Sequence, residues 1–132
     1  MAGGLSDARH LPQPAPIDAY GNGGFRLGGV SEGLSHRGSL LCFPDGVWAW
    51  PVASIADLDE ASLAPVFAHA DQLDVFLIGG GRDPWVLPAP LRALFHERSI
   101  SVDVMTTGAA VRTYNILLAE NRRAGAGLIA VA

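Results

Sequence analysis

Apolar and polar positions follow two different patterns along this chain, and the change falls near residue 50. Before it, short apolar runs alternate with turn residues, which is typical of β-hairpins. The first predicted hairpin joins residues 17–20 and 25–27 through a glycine-rich turn at 21–24. The second joins residues 39–43 and 47–50 through Pro44-Asp45-Gly46, a sequence that favours a tight turn with glycine at positive φ.

After residue 50, helical and strand patterns alternate. Leu63, Val66, Phe67 and Ala70 recur at helical spacing, so they predict an amphipathic helix, with Asp59 or Ser62 as its cap. The elements predicted after it are a strand at 73–78, a helix around 91–95, a strand at 100–105, a helix at 109–122 that Gly125 stops, and a strand at 128–131. This alternation indicates an α/β domain with a partly parallel sheet that is covered on both sides.

The amino-terminal residues 1–15 are small, polar and rich in proline, and they show no apolar period, so we predict a flexible tail. Residues 16–132 show no linker and no internal repeat, which predicts a single domain. The full length of 132 residues is enough to bury a core without disulfides or metal ions.

Charge and composition exclude several classes of function. The net charge of −4 argues against a general nucleic-acid binder, because binding phosphates requires a basic surface. All nine basic residues are arginines, which excludes mechanisms that need a Schiff-base or P-loop lysine. Cys42 is the only cysteine, so no internal disulfide can form, and within its apolar run we expect a buried, inert thiol. The four scattered histidines show no metal-ligand spacing, and we predict neither a metal nor a cofactor.

The first residues lack the basic and apolar regions of a signal peptide, and the apolar runs are shorter than the ~20 residues of a membrane span. We therefore expect a cytoplasmic protein of bacterial type, with peripheral contact at the inner membrane through a partner.

Polar groups that could bind a ligand occur at two predicted turns. Gly79–Arg82 follows a buried strand, and Thr106 and Thr107 open the longest helix, so both turns lie where open α/β sheets bind ligands. Arg112 is a candidate rim charge, and Asn115 is a polar residue in an apolar helix. The predicted pocket comprises Gly79, Gly80, Gly81, Arg82, Thr106, Thr107, Arg112 and Asn115. A tight turn, a helix cap and satisfied buried polarity are the structural alternatives for these residues.

Three tryptophans form a candidate partner surface. Trp48 and Trp50 are two residues apart on a predicted strand and therefore share one face, and Trp85 follows the glycine turn. Aromatic faces serve partner sites, but packing in the core is the simpler interpretation for large aromatic side chains.

Several segments together resemble a known family. They are IDAYG at 17–21, GFR at 24–26, GSLL at 38–41, PDGV at 44–47 with Trp50, LIGGG at 77–81, VMTT at 104–107 followed by Ala109 and Ala110, and TYNIL at 113–117 with Glu120 and Arg122. The chain resembles the Mth-like domain family of uncharacterised proteins over residues 17–131. One departure is Gly80, where the family usually carries Thr or Ser, and this weakens a hydroxyl-based ligand role at that turn.

The resemblance implies a three-layer α/β fold with a mixed central sheet and an additional N-terminal β-hairpin layer. It implies no established catalytic residues, and one branch of the family takes part in the assembly of respiratory complex I. Our first hypothesis is therefore a non-enzymatic protein-binding or assembly factor with partners in respiratory complex assembly. The alternative is a small-molecule or anion-binding protein, or an enzyme, that uses the pocket near Gly79–Arg82 and Thr106–Asn115.

Overall fold

A six-stranded mixed sheet forms the centre of the computed structural model, which describes residues 9–29 and 34–132. In spatial order its strands are β1 (Arg9–Leu11), β6 (Gly46–Trp50), β5 (Ser39–Phe43), β9 (Ala124–Leu128), β7 (Val75–Gly79) and β8 (Ser101–Met105). The first four strands pair antiparallel, whereas β9, β7 and β8 run parallel. The mixed sheet agrees with the prediction.

Three helices and a smaller sheet cover the two faces of the central sheet. The helices are α1 (Glu60–Ala68), α2 (Ala89–Glu97) and α3 (Thr107–Ala119), and the smaller antiparallel sheet contains β2 (Ile17–Gly21), β3 (Gly24–Leu27) and β4 (Leu34–Arg37). One core cluster packs beneath α1 and α2, and a second lies between the central sheet and the layer of α3, β2 and β3. This arrangement confirms the predicted three-layer α/β fold with an additional β-layer.

The start of α1 shows how local sequence sets an element. The Asp59 carboxylate accepts a hydrogen bond from the Ser62 main-chain N–H at 2.8 Å, and the Ser62 hydroxyl accepts from the Asp59 N–H at 3.0 Å. This reciprocal capping box satisfies main-chain donors that the helix itself cannot pair. Asp59 is therefore the cap, and Ser62 lies inside the first turn.

The last strand begins four residues earlier than predicted, because small residues form it. β9 has the sequence AGAGL, which lacks the bulky apolar run expected of a central strand. The Trp50 ring lies so close to Gly127 that a Cβ there would be 2.6 Å from it, so this position leaves no room for a side chain. The α3 helix also ends before Gly125, at Ala119, and Asn121 adopts the left-handed conformation after it with φ of 57°.

Part of the segment predicted to be a flexible tail belongs to the central sheet. β1 pairs antiparallel with β6, with Arg9 opposite Trp48 and Leu11 opposite Val47. Leu11 and Ala15 are buried in the second core cluster, which stabilises this segment against the sheet. Residues 1–8 lie outside the described residues.

Within the described parts of the chain, no helix is both long and apolar enough to cross a lipid bilayer.

Candidate functional site

The carboxyl ends of three parallel strands meet at one edge of the central sheet. β7 ends at Gly79 between β8 and β9, and all three strands run in the same direction. The Gly80 N–H donates to the Met105 carbonyl at 2.9 Å, and the Ile129 N–H donates to the Gly79 carbonyl at 2.9 Å. The two turns predicted to form a pocket are therefore neighbours, because parallel strands end at a common edge.

Thr107 joins these strand ends from inside the protein. Its hydroxyl accepts a hydrogen bond from the Gly81 N–H at 2.9 Å and donates to the Ile129 carbonyl at 2.7 Å. Its own N–H donates to the Gly81 carbonyl at 2.8 Å. The residue is fully buried, so its polar groups serve the fold and do not face a ligand.

The Trp85 indole fills the space above Gly80. Its ring N–H donates to the Met105 carbonyl at 3.0 Å, and a Cβ at residue 80 would overlap the indole. Trp85 is half-buried there and so belongs to the strand-end region. Glycine at this position, where the family resemblance predicts a hydroxyl residue, makes room for the ring.

A cleft of about 260 Å³ opens on the solvent side of these strand ends. Four residues of the predicted pocket line it, namely Gly81, Arg82, Thr106 and Arg112. Three further lining residues, Tyr20, Gly108 and Val131, were not predicted. Of the other predicted residues, Gly79 and Thr107 are buried behind the cleft wall, and Gly80 lies beneath Trp85.

Asn115 lies outside the cleft and connects two layers of the fold. Its side-chain oxygen accepts from the Ile17 N–H at 2.8 Å, and its amide donates to the Ile17 carbonyl at 2.9 Å. This is the pattern with which a neighbouring strand would pair, so Asn115 extends the edge of β2 onto α3. Asn115 therefore satisfies main-chain hydrogen bonds within the fold, which is the structural alternative to a ligand contact.

Tyr20 reaches the cleft from the smaller sheet. The β2–β3 turn is held over the strand ends by a hydrogen bond from the Gly23 N–H to the Val131 carbonyl at 2.7 Å. The Tyr20 hydroxyl then occupies space beside Gly108, where a Cβ would overlap it. No local pattern signals this placement, because it depends on contacts between distant parts of the chain.

The electrostatics of the cleft suit an anion. The Thr106 hydroxyl caps α3 by accepting from the Ala109 N–H at 3.3 Å, which places the positive end of the helix dipole at the cleft. Arg82 and Arg112 add two positive side chains, and the lining residues include no carboxylate. The Arg82 guanidinium also donates to the main-chain oxygen of Ala132, which fixes it at the rim.

The prediction of a tryptophan partner surface is wrong for two of its three members. Trp48 and Trp50 share a face of β6, as expected, but this face points under α1, and the two side chains are only 8% and 3% exposed. The Trp50 indole donates to the Ser62 carbonyl at 3.0 Å and so ties α1 to the sheet. Large aromatic rings contribute most of their stabilisation when buried, and the core-packing alternative is observed.

Cys42 is buried in the second core cluster, as expected. Burial raises the pKa of its thiol to about 12, and the Tyr114 hydroxyl beside it offsets only part of that rise. A nucleophilic cysteine requires the thiolate form, so this thiol is unreactive at neutral pH.

Comparison with known proteins places the chain among related sequences. The sequence profile of a family described as proteins of unknown function (DUF498/DUF598) matches residues 17–129. An uncharacterised protein of Rhodobacter capsulatus is 38% identical over 86% of this chain and 83% of that protein. Bovine NADH dehydrogenase (ubiquinone) 1 alpha subcomplex assembly factor 3 is 33% identical over 92% of this chain. The chain spans 64% of the length of that bovine protein.

Solved structures of several bacterial proteins share the fold. The crystal structure of a Bartonella henselae protein described as an outer membrane protein has a TM-score of 0.85 at 46% identity, and the match covers 93% of this chain and 100% of that one. The solution structure of a Bordetella pertussis protein described as a Mth938-like domain has a TM-score of 0.71 at 25% identity, over 94% and 89% of the two chains. These similarities confirm the predicted Mth-like resemblance.

Proposed function

The chain belongs to the DUF498/DUF598 family of proteins of unknown function, and on that premise we propose that it is a non-enzymatic protein-binding factor in the assembly of respiratory complex I. One observation carries this proposal: the similarity to the bovine assembly factor extends over 92% of this chain at 33% identity. A match of that extent supports a common fold over nearly all of this chain. Because the chain spans 64% of the bovine protein, the role of the whole relative is itself part of the proposal.

The proposed location follows from the proposed role. The protein acts from the cytoplasm and reaches the inner membrane through its partners. Such contact requires only a binding surface on the folded domain.

Deletion of the gene in the host organism tests the proposal most directly. We expect less fully assembled NADH:ubiquinone oxidoreductase on native gels, and restoration by a plasmid copy of the chain. Purification of the tagged chain after gentle solubilisation should enrich subunits of that complex over a tag-only control. Normal levels of assembled complex in the deletion strain would refute the proposal.

Anion binding in the strand-end cleft is a second candidate function. The observation that favours it is the arrangement of Arg82, Arg112 and the amino terminus of α3 around a cleft of about 260 Å³. Helix amino termini and arginines bind carboxylate and phosphate groups through charge-assisted hydrogen bonds.

Thermal unfolding in the presence of inorganic phosphate, nucleotides and carboxylates tests the second candidate. A ligand at a hundredfold excess over its Kd stabilises the folded state by about 2.7 kcal/mol. Arg112→Gln should abolish the shift. Arg122→Gln, which changes an exposed arginine outside the cleft, should preserve it. An unchanged melting temperature with all of these compounds would remove this candidate.

A further inference from the structure

β8 is an edge strand of the central sheet, and within residues 9–29 and 34–132 no strand pairs with its outer side. The Ser101 N–H donates to the Asp74 carbonyl at 3.0 Å, and the Met105 carbonyl accepts from the Gly80 N–H at 2.9 Å. Along a strand the N–H and C=O groups of successive residues point alternately to its two sides. Ser101, Asp103 and Met105 therefore bond to β7, whereas the N–H and C=O groups of Val102 and Val104 point to the open side.

The open edge carries one charged side chain, Asp103, but it lacks the other features that usually protect edge strands. Proline, bulges and very short strands prevent a sheet edge from pairing with another chain. The opposite edge, β1, has three residues and an irregular register. In contrast, β8 has five residues, contains no proline, and keeps a regular register along its whole length. β8 is therefore the edge that is prepared to accept another strand.

A groove lies beside this edge on the side of α2. Its volume is about 460 Å³, and its lining residues are Arg92, His96, Ser99, Ile100, Ser101 and Val102. Arg92 is positively charged, and none of the lining residues is acidic. A side chain directed into this groove from a neighbouring strand is favoured when it is acidic.

The other face of the edge has the opposite charge. Asp103 is exposed on the α3 side of the sheet, because successive strand residues point to opposite faces and Val102 and Val104 pack towards α2. A side chain beside Asp103 is favoured when it is basic. Pairing of β8 with β8 of a second copy, antiparallel about Asp103, would oppose two carboxylates, so a second copy is a poor partner.

From this geometry we propose that β8 is a docking edge for an extended segment of another protein, which adds a strand to the central sheet. The segment carries acidic side chains on its α2 face and basic side chains on its α3 face. Main-chain hydrogen bonds to Val102 and Val104 provide affinity, and the two charged faces provide specificity. The inference rests on the proposed protein-binding role and assigns a surface to it.

A synthetic peptide of about seven residues, the length of an ordinary strand, tests the inference. Its residues alternate between Glu and Arg, so one face is acidic and the other basic in either strand direction. We expect amide signals of β8 and α2 to shift in NMR spectra, and exchange of the Val102 and Val104 amide protons to slow by about tenfold or more at saturation. Control peptides in which Gln replaces every Glu or every Arg should bind more weakly by about threefold.

Two variants locate the contact. Val104→Pro removes an outward N–H but no bond to β7, and proline is tolerated at such edge positions. We expect it to fold and to weaken peptide binding by about tenfold, which corresponds to the loss of one good hydrogen bond. Asp103→Lys leaves the main chain intact but makes the α3 side basic, so the control peptide that keeps Glu should then bind more tightly than the one that keeps Arg.

The results distinguish a failure of the docking edge from a failure of the proposed function. Unprotected Val102 and Val104 amides, signal shifts confined to other surfaces, or unchanged binding by both variants would overturn the docking edge. If complex I subunits co-purify equally with the Val104→Pro chain, the proposed role stands and the β8 surface does not. If the peptide binds as described but deletion leaves complex I assembly normal, the surface stands and the proposed role does not.

Discussion

The Thr107 hydroxyl carries two hydrogen bonds in a place that water does not reach. It holds the turn after β7 and the residue after β9 to the start of α3. Such a hydroxyl contributes more than an exposed one, because its loss leaves a main-chain donor and an acceptor without partners. The contact therefore fixes the inner wall of the cleft.

Replacement of Thr107 by valine should destabilise the protein while preserving its volume. Each unsatisfied buried group costs about 1–3 kcal/mol, so we expect the two groups together to lower the free energy of unfolding by about 2–6 kcal/mol. Urea unfolding measures this difference. Thr107→Ser keeps the hydroxyl and is the matched control. If the serine variant lost as much stability as the valine variant, the hydroxyl would not be the cause.

Cys42 should make the stability of the protein depend on pH in the alkaline range. The unfolded thiol has a pKa of about 8.5, whereas burial raises the pKa of the folded thiol to about 12. The stabilisation is complete below the unfolded pKa. As the pH rises between these two values the unfolded chain ionises first, so stability falls by up to about 1.4 kcal/mol per pH unit.

Urea unfolding at several pH values between about 8 and 10.5 tests this linkage. Cys42→Ala should show a shallower decline than the unchanged protein. Burial also raises the pKa of Tyr114, which contributes in the same direction in both proteins. Identical pH profiles for the two proteins would contradict the assignment to Cys42.

At the scale of elements, Asn115 attaches β2 to α3 through two hydrogen bonds with Ile17. Asn115→Asp removes the donor and places a carboxylate beside the Ile17 carbonyl. We expect a loss of about 1–3 kcal/mol, with amide exchange increasing first in β2 and β3. Asn121→Asp makes the same chemical change at an exposed site after α3, where the added charge meets only the negative end of the helix dipole, so it should cost less than about 1 kcal/mol. Uniformly faster exchange in all elements would contradict this local anchoring.

The close approach of Trp50 to β9 gives a second prediction for an element. Gly127→Ala would bring a Cβ to within 2.6 Å of the Trp50 ring, and overpacking of this kind costs about 1–3 kcal/mol. Trp50→Phe removes the ring atoms that would clash. In a double-mutant cycle monitored by urea unfolding, we expect Gly127→Ala to cost less in the phenylalanine background. Equal costs in both backgrounds would show that the ring is not the constraint.

Elements with strong local signals could be predicted from the sequence. The turn at Pro44-Asp45-Gly46 and the helical spacing of α1 each lie within a short window, and both elements formed. The predicted position of β9 was wrong, because a strand of alanine and glycine has no apolar pattern that marks it. Small residues are needed there, since the Trp50 ring lies against the strand. The strand ends of the cleft were predictable from parallel topology, whereas Tyr20 was not, because the Gly23–Val131 contact places it there.

At the scale of the whole molecule, the two faces of the central sheet pack into two separate hydrophobic cores. In β7, Phe76 and Ile78 belong to the core under α1 and α2, while Leu77 between them belongs to the core under α3. In β5, Leu41 and Cys42 divide in the same way. If either layer separates, it removes the packing from one face of the strands whose other face forms the second core, so we expect the described domain to unfold as a unit.

Two probes on opposite faces can test this cooperativity. Trp48 and Trp50 report on the α1–α2 side through fluorescence, and alkylation of Cys42 reports on the α3 side, because the thiol reacts only when exposed. We expect both probes to give the same urea midpoint. Val66→Ala creates a cavity on the α1 side alone. It should lower the free energy of unfolding by roughly 1–3 kcal/mol and lower both urea midpoints equally. Loss of tryptophan fluorescence at a lower urea concentration than Cys42 alkylation would show that the helical layer detaches first, and the shared sheet would then not couple the two cores.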